Sequence, residues 1–241
     1  MISLLSMSKT RAQIAANKEL VRNRLTTDIA SWSRQCILPY PKEFDKSIDL
    51  LNQAAFAAVK SDVTHAQQLI KQMADAEMRS WFDDIAQNSG KVRLEILNRT
   101  PAKLPGGSLI KRPTAKREKM IIRSQGFQCR YCRIRIVHND QFKKLQRLVG
   151  YETLPNRSQE KQRMRNTDIH GIWLLTRATV DHVEPMAQGG LDVNRDENLA
   201  ACCWPCNYAK WKYTVEDLGI DNPMCRPPRM TGWVGLTDIL P

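Results

Sequence analysis

The sequence predicts an α+β protein: an N-terminal helical bundle followed by a smaller mixed unit of strands and helix held by metal. Three observations predict it. Apolar residues recur at helical spacing through residues 1–97, breakers crowd residues 98–114, and two Cys-x2-Cys pairs, Cys129/Cys132 and Cys203/Cys206, lie in the second half. At 241 residues, with 42% hydrophobic and 26% charged, the chain can build cores for two small units and lies outside disordered composition.

The helical elements follow from periodicity. Ile14, Val21, Leu25, Ile29 and Trp32 form one stripe between Thr10 and Gln35, and Phe44, Ile48, Leu51, Ala55 and Val59 form a second. A third begins after Ser61 or Asp62 as cap, runs through Val63, Ala66, Ile70, Met73, Trp81 and Ile85, and ends near Gly90 as a C-cap. His65 falls among polar neighbours and reads as a surface residue. Residues 98–114 then hold three prolines and the pair Gly106-Gly107, which places a linker there.

The second unit, 115–241, opens with a short helix at Ala115–Ser124 and a hairpin from Phe127 to Ile136 around Cys129 and Cys132. A polar, basic insertion is expected over 137–170, where His138 and His170 read as surface groups. Ile172–Leu175 and Ala178–Val180 read as strands, the second ending in Asp181-His182 and followed by a loop with Gly189-Gly190. Pro205 suits the first turn of a helix through Tyr213, and Thr214 to Asp217 reads as a capping box before Gly219. The tail is Pro-rich, with Trp233 and Leu236 as anchors. Trp173, Trp204 and Trp211 are expected to pack in the core.

Lys plus Arg number 37 against 25 Asp plus Glu, a net charge of +12. The excess is local: residues 1–110 carry +4, 111–178 carry +12 and 179–241 carry −4. A basic stretch before an acidic segment suits a phosphate-binding rim beside a cation site, and a solvated basic face is the alternative. No unbroken apolar stretch exceeds six residues, as in Ala54–Val59, where a membrane-spanning helix needs about 20. The start Met1-Ile2-Ser3-Leu4-Leu5 has no basic lead-in to an apolar run. A cytoplasmic protein without membrane contact is expected.

Seven cysteines, an odd number with two close pairs, point to metal ligation in a reducing compartment. Each knuckle can present two thiolates to one tetrahedral Zn²⁺, and with 70 residues between them the ion would clamp the ends of a folded unit. Cys202 is expected to be a buried spare thiol, and Cys36 and Cys225 to be structural. Beside this clamp, Asp181-His182, Asn198 and Asn207 offer a neutral imidazole that can accept a proton. They also offer oxygen donors suited to Mg²⁺. Such a set meets the needs of phosphodiester hydrolysis.

Cys129-Arg-Tyr-Cys132, Val180-Asp181-His182-Val183-Glu184-Pro185, Gly189-Gly190, Asn198-Leu199 and Cys203-Trp-Pro-Cys206-Asn207-Tyr-Ala-Lys210 together resemble the HNH nuclease family in its zinc-clamped, four-cysteine form, over about residues 115–220. The resemblance implies a ββα-metal fold with a structural zinc and a separate catalytic Mg²⁺ or Mn²⁺. It implies His182 as general base, Asp181 and Asn207 as ligands of the catalytic ion, and Asn198 in the loop that orients the base. Asn207 departs from the histidine that many members carry there, which favours a hard ion. Lys210 is placed in reach of the phosphate, with a solvated helix position as the alternative. Glu184 reads as polar loop.

DNA phosphates are assigned to Lys143, Lys144, Arg147, Arg157, Lys161, Arg163 and Arg165. No recognition-helix signature is present for base readout. The leading expectation is a metal-dependent DNA endonuclease. A zinc-clamped nucleic-acid-binding or adaptor module without turnover shares the knuckles and the charge, and an RNA-directed nuclease shares the chemistry. The N-terminal helices are read as a homodimerisation unit or a dock for a companion protein.

Overall fold

The computed structural model describes residues 11–26, 34–37, 40–100, 112–156, 168–186 and 194–241. The N-terminal half is helical: α1 (Arg11–Thr26), α2 (Asp45–Val59), α3 (Val63–Lys71), α4 (Asp75–Ser80), a π-helical turn over Trp81–Ala86, and α5 (Gln87–Ile96). The second stripe folds as expected, with Phe44, Ile48, Leu51 and Ala55 buried, although Val59 is exposed. On the first, Val21 is fully buried; Ile29 and Trp32 lie outside the described residues.

The third predicted helix is two helical runs. Asp62 caps it by accepting from the His65 N–H at 3.1 Å, and His65 is exposed. The helix breaks at residues 72–74, where Ser47 Oγ takes the Ala74 N–H. From Asp75 the chain winds without interruption through the π turn to Ile96. Gly90 is therefore not a C-cap. It sits inside α5 because a Cβ there would lie 1.8 Å from the Ala209 carbonyl oxygen.

The second half contains α6 (Ala115–Ser124), α7 (Asn139–Val149), α8 (Gly171–Thr176), β1 (Ala178–His182), β2 (Leu199–Cys203) and α9 (Trp204–Lys210). β1 and β2 pair antiparallel, with Ala178 opposite Cys203 and His182 opposite Leu199. Residues 172–175, expected as a strand, are helical instead. His170 Nδ1 accepts from the Ile172 N–H at 3.2 Å, and Thr176 Oγ1 donates to the Ile172 carbonyl at 2.7 Å. A short apolar run carries no period to separate the two forms. His170, expected at the surface, is buried as this cap, and His138 caps α7 through the Asp140 N–H. The predicted capping box is complete: Asp217 N–H donates to Thr214 Oγ1 at 2.9 Å and Thr214 N–H to Asp217 Oδ2 at 3.0 Å.

The two halves share one hydrophobic cluster. α5 packs on α9 through Gly90, and α4 packs on α8 through Gly171, where a Cβ would lie 2.5 Å from the Asp75 carbonyl oxygen. The N-terminal helices thus brace the elements that carry the site. In the tail, Leu236 is buried and Trp233 Nε1 donates to the Ile136 carbonyl at 3.0 Å. No helix of the described residues is long and apolar enough to cross a membrane.

Candidate active site

Four sulfurs come first because they fix the frame. Cys129 and Cys132 lie on a tight turn closed by the single bridge Gln128–Arg135. Cys203 ends β2, and Cys206 lies in the first turn of α9, where Pro205 costs no hydrogen bond. The four ligand atoms lie within 4.8 Å of one another, and the Cys132 N–H is 3.5 Å from Cys129 Sγ. This is consistent with a tetrahedral zinc site. Burial raises the Cys129 thiol, but hydrogen bonds from Cys132, Cys203 and Cys206 bring it well below the ordinary thiol range. Cys203 is pushed up, first by burial and then by its sulfur neighbours. A dication bound there would favour the thiolate form of all four sulfurs. Cys202 is a buried thiol beside Thr179 Oγ1 at 3.1 Å, as expected, and Cys36 is buried. Cys225 is exposed, so a structural role for it finds no support.

The cluster reaches Asp181 directly. Tyr131, inside the first knuckle, donates its hydroxyl to Asp181 Oδ2 at 2.7 Å, and the Arg130 N–H ties the knuckle to the Ala201 carbonyl on β2 at 2.8 Å. Burial and then the charge of Asp181 hold the Tyr131 phenol well above its usual range, so it remains a donor. Asp181 and His182, at the end of β1, are both buried. His182 Nε2 lies 2.8 Å from Asn194 Oδ1. Since that oxygen only accepts, the contact selects the tautomer of the neutral ring with the proton on Nε2 and the lone pair on Nδ1. Asn198 staples the loop after His182: its Oδ1 accepts from the Glu184 N–H at 2.7 Å, its Nδ2 donates to the Glu184 carbonyl at 3.1 Å, and its own carbonyl accepts from the Val183 N–H at 3.0 Å. Asn207, on α9, donates from Nδ2 to Thr179 Oγ1 at 3.1 Å, which leaves its oxygen as the free end of the amide.

Asp181, His182 and Asn207 line one cleft of about 880 Å³. Asp181 Oδ1 and Asn207 Oδ1 are oxygen donors of the kind that hold Mg²⁺ or Mn²⁺. Lys210 lies elsewhere than its sequence position suggests. It was expected to reach a phosphate or lie in solvent; it is fully buried, donating to the His182 carbonyl at 2.8 Å and lying 3.3 Å from Asp181 Oδ2. Its place one turn after Cys206 points it inward beneath β1. Trp173 and Trp204 are buried as expected, but Trp211 is 61% exposed at the end of α9 and lines the cleft.

Among the proposed phosphate contacts, Lys143 and Arg147 are exposed on α7 and line a cavity of about 580 Å³ beside the cleft. Lys144 is half-buried on the same helix. Arg157, Lys161, Arg163 and Arg165 lie outside the described residues, as do Gly189 and Gly190. Four cations on the cleft wall, Arg112, Lys119, Arg177 and Lys212, escaped the sequence reading, as did Asn194 and Tyr131. Tyr131 was legible in principle, since it sits within the knuckle motif; Asn194 carries no local pattern that marks it.

Two antiparallel strands and a helix, with an acid and a histidine at a strand end, a carboxamide on the helix and a four-sulfur clamp behind them, form a ββα-metal site of the nuclease class. In agreement, residues 166–212 match the family model described as HNH endonuclease, so the chain carries an HNH domain. No curated protein and no solved structure was found to match the chain.

Proposed function

We propose that this protein is a metal-dependent endonuclease that hydrolyses DNA phosphodiester bonds, with His182 as its general base. The observation that carries this reading is the state of the three side chains in the cleft. His182 has Nε2 engaged by Asn194, Asp181 has Oδ2 engaged by Tyr131 and Lys210, and Asn207 has its amide nitrogen engaged by Thr179. Each is held by the atom that the chemistry does not need, and each keeps the other atom available.

In this reading His182 Nδ1 takes the proton of a water whose oxygen forms the new bond to phosphorus, while the sugar oxygen on the opposite side leaves. Asn194 fixes the ring and its tautomer, and Asn198 fixes the loop that carries the ring's backbone. Asp181 and Asn207 would hold the catalytic Mg²⁺ or Mn²⁺, which supplies positive charge to the phosphate when bound. Zn²⁺ on Cys129, Cys132, Cys203 and Cys206 has a structural part only: it pins the knuckle, β2 and α9, the elements from which Tyr131, Asn207 and Lys210 project. Lys143, Lys144 and Arg147, with Arg157, Lys161, Arg163 and Arg165, are proposed to hold DNA phosphates without reading sequence.

DNA is the substrate the family resemblance implies, and RNA would suit the same chemistry. Supercoiled plasmid incubated with the zinc-loaded protein and Mg²⁺ is expected to become nicked, and EDTA to abolish this. A parallel incubation with an RNA strand separates the two substrates. Intact plasmid across Mg²⁺, Mn²⁺ and a range of salt would overturn the proposal.

A further inference from the structure

Arg177 immediately precedes β1, and its backbone is fixed on both sides. Its N–H donates to the Trp173 carbonyl at 3.1 Å, and its carbonyl accepts from the Trp204 N–H at 3.0 Å. Its guanidinium lies over the Trp204 ring, 4.4 Å from the centroid. Nε is buried without a hydrogen-bond partner, and the guanidinium forms no ion pair with any described residue. Glu118, an acid on the same cleft wall, acts on it by charge at longer range without forming a contact ion pair. The contrast with Arg93 is sharp: that buried guanidinium donates to the carbonyls of Leu218, Cys36 and Ile37 and is fully used by the fold. A half-buried cation with no contact anion, answered only at longer range by the charge of Glu118, is costly unless a ligand supplies one. Burial pulls the Arg177 pKa down, which reports the same lack of solvation.

Its position indicates which ligand. Arg177, Trp204 and Asn139 line both the cleft that holds His182 and the neighbouring cavity, where Lys143 and Arg147 stand one helical turn apart. Along an extended strand at about 3.3 Å per residue, the Arg177 and His182 backbones are about 16 Å apart. Arg177, unlike His182, also lines the neighbouring cavity, so a phosphate beside the one His182 serves suits it better. A guanidinium held over an aromatic ring, with its terminal nitrogens making no hydrogen bond to the described residues, can offer charged donors to phosphate oxygens.

We propose that Arg177 binds a backbone phosphate within about two nucleotides of the cut, and that the cut strand crosses the Arg177–Trp204 stack into the neighbouring cavity toward Lys143 and Arg147. This rests on the nuclease reading and adds to it a phosphate subsite on one side of the scissile bond.

The test neutralises one phosphate at a time. An end-labelled DNA oligonucleotide cut at a mapped position is prepared with a single methylphosphonate at each of three linkages on either side. With wild type, one linkage should lower kcat/KM about tenfold or more. Arg177→Ala should lose a similar factor on unmodified DNA, become indifferent to that linkage and stay sensitive to the others. Arg177→Lys should fall between, because it keeps the charge without the planar fork. Should alanine unfold the protein, Arg177→Gln keeps the stack with a neutral head. The same scan read as Kd without added divalent metal, in the zinc-loaded His182→Ala background, needs no cleavage, so absence of turnover leaves this inference decidable. Equal sensitivity of wild type and the Arg177 variants at every linkage would overturn it.

Discussion

Lys210 shows how much of this site is decided one residue at a time. An ammonium with no exposure is tolerable only because the His182 carbonyl and the Asp181 carboxylate meet it. Lys210→Met would leave Asp181 buried with the Tyr131 hydroxyl as the remaining partner of Oδ2 among the described residues. Breaking such a pair costs roughly 3–5 kcal/mol, so the urea midpoint should fall by a corresponding amount, and an unchanged midpoint would show that the contact carries no weight. From sequence, a lysine on a short helix read equally well as a phosphate contact or a solvated side chain, since burial is a property of what lies across from it. Asp181, His182 and Asn207 were legible because the residue types that such chemistry needs stood beside paired cysteines at metal-binding spacing. Asn194 was not, because a lone loop asparagine acquires meaning only from the ring it touches.

At the scale of elements, glycines and caps decide how pieces meet. α5 lies against α9 because Gly90 lets the Ala209 carbonyl approach. Gly90→Ala forces backbone apart, which typically costs about 1–3 kcal/mol. A lower urea midpoint together with weaker plasmid nicking is expected, as α9 carries Asn207; an unaltered midpoint would refute the close packing. His170 caps α8 through an unprotonated Nδ1, and burial pulls its pKa down against the opposing pull of Asp75. A lower pKa in the folded state means the unfolded chain binds more protons. Its contribution is complete above about pH 6.5 and is lost as pH falls from there toward the folded value. Denaturation midpoints at pH 7.5 and 5.5 should therefore diverge less in His170→Asn, which retains a cap, than in wild type. Identical divergence would reject the assignment. The sequence revealed α6 and α9 through breakers and Pro205, but it read α8 as a strand, because four apolar residues say nothing about period, a histidine is an unusual cap, and Gly171 acts through its tertiary contact with Asp75.

At the scale of the whole molecule, the α+β class and the four-cysteine cluster were legible from composition shifts and doubled spacing, and the packing of the N-terminal helices on α8 and α9 was not, since periodicity names a buried face without naming its partner. The four-cysteine cluster joins the knuckle to β2 and α9, and a structural zinc in a site of this kind contributes folding energy outright. Cys129→Ser is expected to lower zinc content and melting temperature together, whereas full zinc with an unchanged melting curve would contradict the clamp. The most direct measurement is His182→Ala in three readouts on one preparation: zinc content, DNA affinity and plasmid nicking with Mg²⁺. The account predicts zinc and affinity close to wild type with nicking reduced by at least 10²-fold, the usual scale of a general base. Undiminished nicking by a folded, zinc-loaded His182→Ala protein would contradict it.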